Sequence, residues 1–282
     1  VPWPSPLMTR LWDRGLLRIS SSGWGVVHAT STVLPPVARK TPLTAMVHDV
    51  AWRSFPDAYP ERGRRWHEES LMRVLDRADC IFTPSDDTAA MLIADGMSPG
   101  RVVVTPLGCD HLSPPDVELA RKLLQSHDVN MDDQFLLAVG TREPRKNLRR
   151  LIRAYQIARS ESAIVRQLPL VIVGPVGWGD ELSNSGPDGL GLGSIRSGLL
   201  DGVAFVGRAE GAAISALYKR CLAFVSVPLL EGFGLPVVEA MLMGAPVVSS
   251  PIPSAGDATL LVDPDDVGSI SEGLIRISSD AT

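Results

Sequence analysis

Short runs rich in Val, Ile and Phe alternate along the chain with longer stretches of helical period, and this alternation limits the fold more than any other feature. The runs Gly25 to His28, Leu43 to His48, Cys80 to Thr83 and Val102 to Thr105 are separated by segments such as Arg64 to Arg77 and Ser85 to Gly96. In those segments apolar residues recur at spacings of three and four, and Ser85 is a natural N-cap. Strands joined by crossover helices imply an α/β fold with parallel sheets. The pattern pauses at about Gly108 to Asp133, around Pro114-Pro115, and then resumes. The second series reads as strands at Phe135 to Val139, Leu170 to Val173, Val203 to Val206, Leu222 to Val227, Pro246 to Ser249 and Leu260 to Val262. Helices are expected at Asn147 to Arg159, Ala212 to Lys219 and Leu235 to Met243. The expectation is therefore a domain over 1–113, a linker over 114–133 and a second domain over 134–282, each Rossmann-like and doubly wound. Two such domains facing each other leave a cleft at the carboxyl ends of both sheets.

Composition narrows the function classes. With 45% hydrophobic and 21% charged residues the chain can bury a core. A net charge of −5, with both signs mixed through both halves, gives no cationic face for nucleic acid. Cys80, Cys109 and Cys221 show no CxxC spacing, which argues against a disulfide framework or a zinc site and fits a reducing cytoplasm. No apolar stretch approaches the ~20 residues that cross a bilayer. The first residue is Val1 rather than methionine, which reads as an upstream segment removed or left out.

Two segments carry the chemistry. In Glu231-Gly232-Phe233-Gly234-Leu235-Pro236-Val237-Val238-Glu239 a glycine turn enters a helix whose first turn holds Pro236. The N–H groups of Phe233, Gly234 and Leu235 are then free to bind an anion such as a phosphate. Glu231 before the helix and Glu239 one turn inside it flank that anion and suit hydroxyls on either side of a diphosphate. As a lone acid pair they read more simply as a solvated loop residue and a complement to the helix dipole. The second segment, Gly140-Thr141-Arg142-Glu143-Pro144-Arg145-Lys146-Asn147, places cations where the next helix starts. There they oppose the dipole and cost stability unless an anion is bound. His48 ends an apolar run and can hydrogen-bond a sugar hydroxyl or shield developing positive charge; a satisfied core histidine fits equally well. His28 has the same placement and is counted as structural.

The stretch EGFGLPVVEAMLMGAPVVSS, preceded by GTREPRKN and VIVGPVGWG and followed by GDATLLVDPDD, resembles the retaining family-4 glycosyltransferases of GT-B fold. Upstream, TAMVHDVAWRSFPDAYP and CIFTPSDDTAAML look like the acceptor-side domain of that family. The resemblance implies transfer of a hexose from a nucleoside-diphosphate sugar, with anomeric configuration retained, to a glycan or glycolipid acceptor. The HDVAW, EPRKN and GWG combination points to mannose from GDP-mannose; glucose or another hexose on UDP fits the same residues. By the resemblance, Lys146 meets the diphosphate with Arg145 or Arg142. Glu231 contacts the donor sugar beside the amides of Phe233, Gly234 and Leu235, and Glu239 binds the ribose. His48 stands by the reacting sugar with Asp49 after it, and Gly207 and Arg208 lie where the nucleobase is held. No metal is expected, because Asp263-Pro264-Asp265 has a DxD form but sits where aspartates cap a helix.

Several features are weaker. Gly189-Leu190-Gly191-Leu192-Gly193 lacks the register of a dinucleotide loop. Arg62, Arg64, Arg65 and Trp66 form a basic helix turn, read as solvated, with peripheral contact to the inner face of the plasma membrane as the alternative. Against the family pattern the amino-terminal strand and glycine loop are absent, Ser250 to Gly256 is short, and no closing carboxyl-terminal helix is evident. Two rival functions share the architecture: a nucleotide-sugar 2-epimerase of GT-B fold, and a catalytically silent sugar-nucleotide-binding partner.

Overall fold

A computed structural model describes residues 11–12, 23–177 and 199–280. The chain forms two compact units, Val1–Leu107 and Gly108–Thr282. The loop Gly189 to Gly193 lies outside the described residues.

In the first unit, strands β1 (Val27–Ala29), β2 (Leu43–Met46), β3 (Cys80–Thr83) and β4 (Val102–Val104) form a parallel sheet in that order. Helix Glu61–Arg77 connects β2 to β3, and helix Asp86–Ala94 connects β3 to β4. Ser85 caps the latter by accepting from the Thr88 N–H at 3.2 Å. The core is a single apolar cluster in which Val47, Leu71, Val74, Ile81 and Leu92 are buried.

The second unit carries a seven-stranded sheet of order β11-β10-β9-β5-β6-β8-β7. Its strands are β5 (Leu136–Val139), β6 (Leu170–Val173), β7 (Leu199–Leu200), β8 (Val203–Gly207), β9 (Ala223–Ser226), β10 (Val247–Ser249) and β11 (Leu260–Leu261). All pair in parallel except β7, which runs antiparallel to β8. Both faces are covered, so a strand such as β6 is buried at every position and reads as unbroken Leu-Val-Ile-Val. Helices Leu148–Glu161 and Val267–Asp280 supply Ile152, Tyr155, Ile270 and Leu274 to one face. Helices Val117–Gln125, Gly211–Arg220 and Leu235–Leu242 supply Leu124, Leu217, Tyr218 and Val237 to the other.

Two expectations are corrected. Segment 114–133 is no linker: Asp116 caps helix Val117–Gln125 by accepting from the Leu119 N–H at 2.9 Å, and Ala120, Leu124 and Met131 are wholly buried in the second unit. A carboxyl-terminal helix does close the sheet, at Val267–Asp280. Gly273 on that helix is there for fit, since a Cβ would stand 2.5 Å from Cγ1 of Val262.

The strand order also locates a crevice. From β5 the chain passes to β6, then to the edge strand β7 and back to β8 between them, and crosses to the other side of β5 as β9, β10 and β11. Loops leaving neighbouring strands β5 and β9 thus diverge, which is where open parallel sheets bind ligands.

Candidate functional site

The β5 loop is shaped by a 3-10 turn, Pro144–Lys146, and by Asn147, which takes a left-handed conformation at φ 59°. Asn147 is buried, and its amide donates to the carbonyls of Val227 (3.0 Å) and Pro264 (2.7 Å), tying this loop to the ends of β9 and β11. The turn then meets the β9 loop directly, with the Leu229 N–H donating to the Arg145 carbonyl at 2.9 Å. Arg145 donates through Nη1 to Glu231 Oε2 (2.7 Å) and the Leu230 carbonyl (3.1 Å), and through Nη2 to Glu143 Oε1 (2.8 Å). Lys146 Nζ bonds the other oxygen of Glu231. Its stem lies over Gly140, where a Cβ would come 3.4 Å from Cε of Lys146.

Lys146, Arg145 and Glu231 are therefore brought together, but not with the cations left open. Glu231 was expected to flank a bound anion; here it sits on both cations and supplies the negative charge that the helix start calls for. The three side chains are 17, 14 and 12% exposed respectively. Burial pushes the Glu231 carboxyl up, yet the opposing pull of Lys146 and Arg145 outweighs it and holds the group below its ordinary value. Folded protein thus binds fewer protons here than unfolded chain. The stabilisation is complete above the ordinary carboxylate range and is lost as pH falls through the depressed value. Denaturant unfolding of wild type and Glu231→Gln between about pH 7 and pH 3 should show their stability gap closing with acid. A gap that does not change with pH would mean the pair contributes nothing through charge.

Helix Leu235–Leu242 begins beside this cluster, with Gly234 as N-cap at φ 100° and Pro236 in the first turn. A Cβ on Gly234 would lie 2.5 Å from both Ile252 Cδ1 and Ser254 Oγ, and the Ser254 hydroxyl donates to the Gly234 carbonyl at 2.9 Å. The amides of the N-cap Gly234 and of Leu235 have no acceptor one turn earlier, and that of Phe233 lies just before the cap. One turn into the helix, Glu239 accepts from the Tyr218 hydroxyl through Oε2 (2.9 Å) and from His111 Nε2 through Oε1 (2.7 Å). Burial, and then the neighbouring Glu239 charge, drive the Tyr218 hydroxyl far above its ordinary pKa, so it remains a donor.

The other expected residues fall as follows. Arg142 does not join Lys146: its guanidinium stacks 5.2 Å from the Phe205 ring centroid, and its backbone pairs with Pro175 and Gly177. Arg142 Nε is buried without a hydrogen-bond partner among the described residues, and this burial lowers its pKa. Gly207 ends β8 at φ 74° and accepts from the Gly174 N–H at 2.7 Å; Arg208 after it is exposed. Both lie on the same edge of the parallel sheet as Lys146. His48 is exposed just beyond β2 in the first unit rather than in its core, and its Nε2 donates to the Thr30 carbonyl at 3.0 Å. His28 lies within β1, bonded to the Thr44 hydroxyl at 2.8 Å. Asp263 and Asp266 shape the start of helix Val267–Asp280, accepting from the N–H groups of Asp265 (2.9 Å) and Gly268 (2.8 Å). Among the described residues no group of three or more His, Cys, Asp or Glu could hold a metal, the three cysteines are free, and no helix is long and apolar enough to cross a membrane.

His111 and Tyr218 were not anticipated. Nothing in its neighbours marks His111, which falls in the segment taken for a domain boundary. Tyr218 had one usable signal: a tyrosine on the apolar face of a helix needs a partner for its hydroxyl.

Residues 120–281 match the family model described as glycosyl transferases group 1, and residues 2–111 match that for Glycosyltransferase Family 4. The chain belongs to the glycosyl transferases group 1 family. It is 32% identical over 263 residues to O-antigen chain mannosyltransferase B of Escherichia coli, covering 90% of this chain and 65% of that one. It is 29% identical over 278 residues to the MMP alpha-(1->4)-mannosyltransferase of Mycolicibacterium hassiacum, covering 93% and 59%. The chain thus spans less than two thirds of either relative. Among solved structures it is similar to sucrose-phosphate synthase from Thermosynechococcus elongatus, with TM-score 0.70, 21% identity, and 99% and 71% of the two chains covered. It is also similar to Anabaena HepE in complex with UDP-glucose, with TM-score 0.64, 19% identity, and 98% and 76% covered. These likenesses establish the GT-B fold class, consistent with the two parallel sheets.

Proposed function

We propose that this protein is a retaining glycosyltransferase that moves a hexose, mannose first among the candidates, from a nucleoside-diphosphate sugar to a glycan or glycolipid acceptor. The observation that carries this reading is the convergence of Lys146 and Arg145 on Glu231, beside the start of helix Leu235–Leu242 at the crevice between β5 and β9. A pyrophosphate entering there meets two cations and unpaired amides, and Glu231, displaced from the cations, is free to accept from a donor-sugar hydroxyl. Glu239 takes the ribose, Gly207 and Arg208 border the base, and His48 of the first unit serves the acceptor side.

Catalysis is then chiefly electrostatic. Lys146, Arg145 and the helix start stabilise charge growing on the leaving diphosphate, while the sugar passes through an oxocarbenium-like state and is attacked on the face from which the diphosphate departs. Preorganised groups of this kind are worth several kcal/mol. No metal is required by this scheme. The mannosyltransferase names of the two curated relatives support mannose, and GDP-mannose is the donor we favour. We place the protein in the cytoplasm, where free thiols persist, peripheral at most to the inner face of the plasma membrane.

A thermal-shift screen of GDP-mannose, UDP-glucose and other nucleotide sugars, followed by product analysis with a glycan acceptor panel, tests the reading. A donor at ~100 times its Kd should add about 2.7 kcal/mol of stability, and sugar should appear on an acceptor with retained configuration. Absence of stabilisation by every nucleotide sugar would sink the proposal. Conversion of donor to an isomer without any acceptor would replace it with the epimerase.

A further inference from the structure

Glu239 has two carboxylate oxygens and two unlike partners. Oε2 faces inward to the hydroxyl of Tyr218, a residue with no exposed surface, held edge-on to Phe224 at 5.3 Å between ring centroids. Oε1 accepts from His111, whose side chain is 53% exposed against 13% for Glu239. One bond is thus locked into the core and the other is open to exchange with solvent or ligand.

We infer that Tyr218 is a positioning residue that fixes the Glu239 carboxylate for the vicinal diol of a nucleotide, and that His111 holds the diol's place until the nucleotide arrives. The inference rests on the ribose role given to Glu239 under Proposed function. An ionised carboxylate has about four lone-pair sites. Tyr218 takes one from below and removes the freedom of the carboxylate to rotate, so the remaining sites stay directed outward at no entropic cost on binding. A diol needs two adjacent acceptor sites, and one of these belongs to the oxygen that His111 covers. In this inference His111, which stands over that oxygen, gives way to the diol, and water can solvate its exposed ring when it does. Tyr218 stays, because it is wholly buried and its hydroxyl donates to Glu239 from inside the core.

The two residues should have opposite effects on binding, which a purely structural role would not produce. Calorimetry with GDP, UDP and ribose-free pyrophosphate separates the ribose contact from the phosphate contact. For whichever diphosphate wild type binds better, Tyr218→Phe is expected to weaken binding about tenfold, as for loss of one charge-assisted hydrogen bond. His111→Ala is expected to tighten it about threefold, and pyrophosphate binding should stay within twofold in both. In a Glu239→Ala background Tyr218→Phe should have no further effect, and in turnover it should raise the donor KM with kcat nearly unchanged. Equal weakening of pyrophosphate, additivity with Glu239→Ala, or weaker binding in His111→Ala would overturn the inference while leaving the functional reading intact. Failure of wild type to bind either nucleotide would overturn both. His111 is on the surface, so its arm remains readable even if Tyr218→Phe folds poorly.

Discussion

Lys146→Ala is expected to lower the rate of sugar transfer by about 10²- to 10³-fold in a protein that remains folded. Lys146 is one of two cations that meet at Glu231, and its ammonium carries full charge without the planar constraint of Arg145, so it can follow a diphosphate as negative charge builds. The fold should survive because Glu231 keeps Arg145 and is not stranded as a buried unpaired charge. Steady-state kinetics alongside thermal unfolding would check this. The loss should fall on kcat more than on donor KM, since the charge Lys146 neutralises is greatest in the transition state. Near-wild-type transfer in a folded variant would remove the central cation from the scheme.

Asn147→Ala is expected to cost about 3–5 kcal/mol of stability and to weaken donor binding with it. The amide of Asn147 holds the carbonyls of Val227 and Pro264 in a site with 2% exposure, and its backbone stands at φ 59°. Alanine would leave both carbonyls unsatisfied and would itself be strained in the left-handed region. Asn147→Gly relieves that strain without restoring the bonds, so it should recover roughly 1 kcal/mol. Denaturant unfolding of the pair separates the two contributions. Variants within measurement error of wild type would show that the β5 loop is held by other contacts.

Much of the architecture was legible because parallel strands buried on both faces leave unbroken apolar runs: β3 and β6 begin and end where the runs do. Helix Val267–Asp280 was not, since its four serines and two glycines weaken the local signal. What makes it helical is tertiary: Ile270, Leu274 and Ser278, spaced by four, are buried, and Gly273 allows the close approach to Val262. Helix Val117–Gln125 was passed over as a charged linker although Ala120 and Leu124 already marked its inner face. In the site, the residue types at both loops could be read from spacing and resemblance. That Glu231 would close on Arg145 and Lys146 could not, because it depends on β5 and β9 being neighbours, a matter of sheet order rather than of local pattern. That Arg145 meets Glu231 while Arg142 lies against Phe205 was equally hidden, since it depends on the 3-10 turn and Asn147.

The partnership of Lys146 with Glu231 joins positions 85 residues apart. During synthesis, the first of the two leaves the ribosome long before the second exists, and at ~5–20 residues per second the interval is several seconds. Through that time β5 has no β9 beside it, and the exposed flank of a half-made parallel sheet is open to wrong partners. Nascent chains that stop short of Ser226 should therefore be the species most dependent on chaperones, and the ability to hold an anion should be among the last properties the molecule acquires.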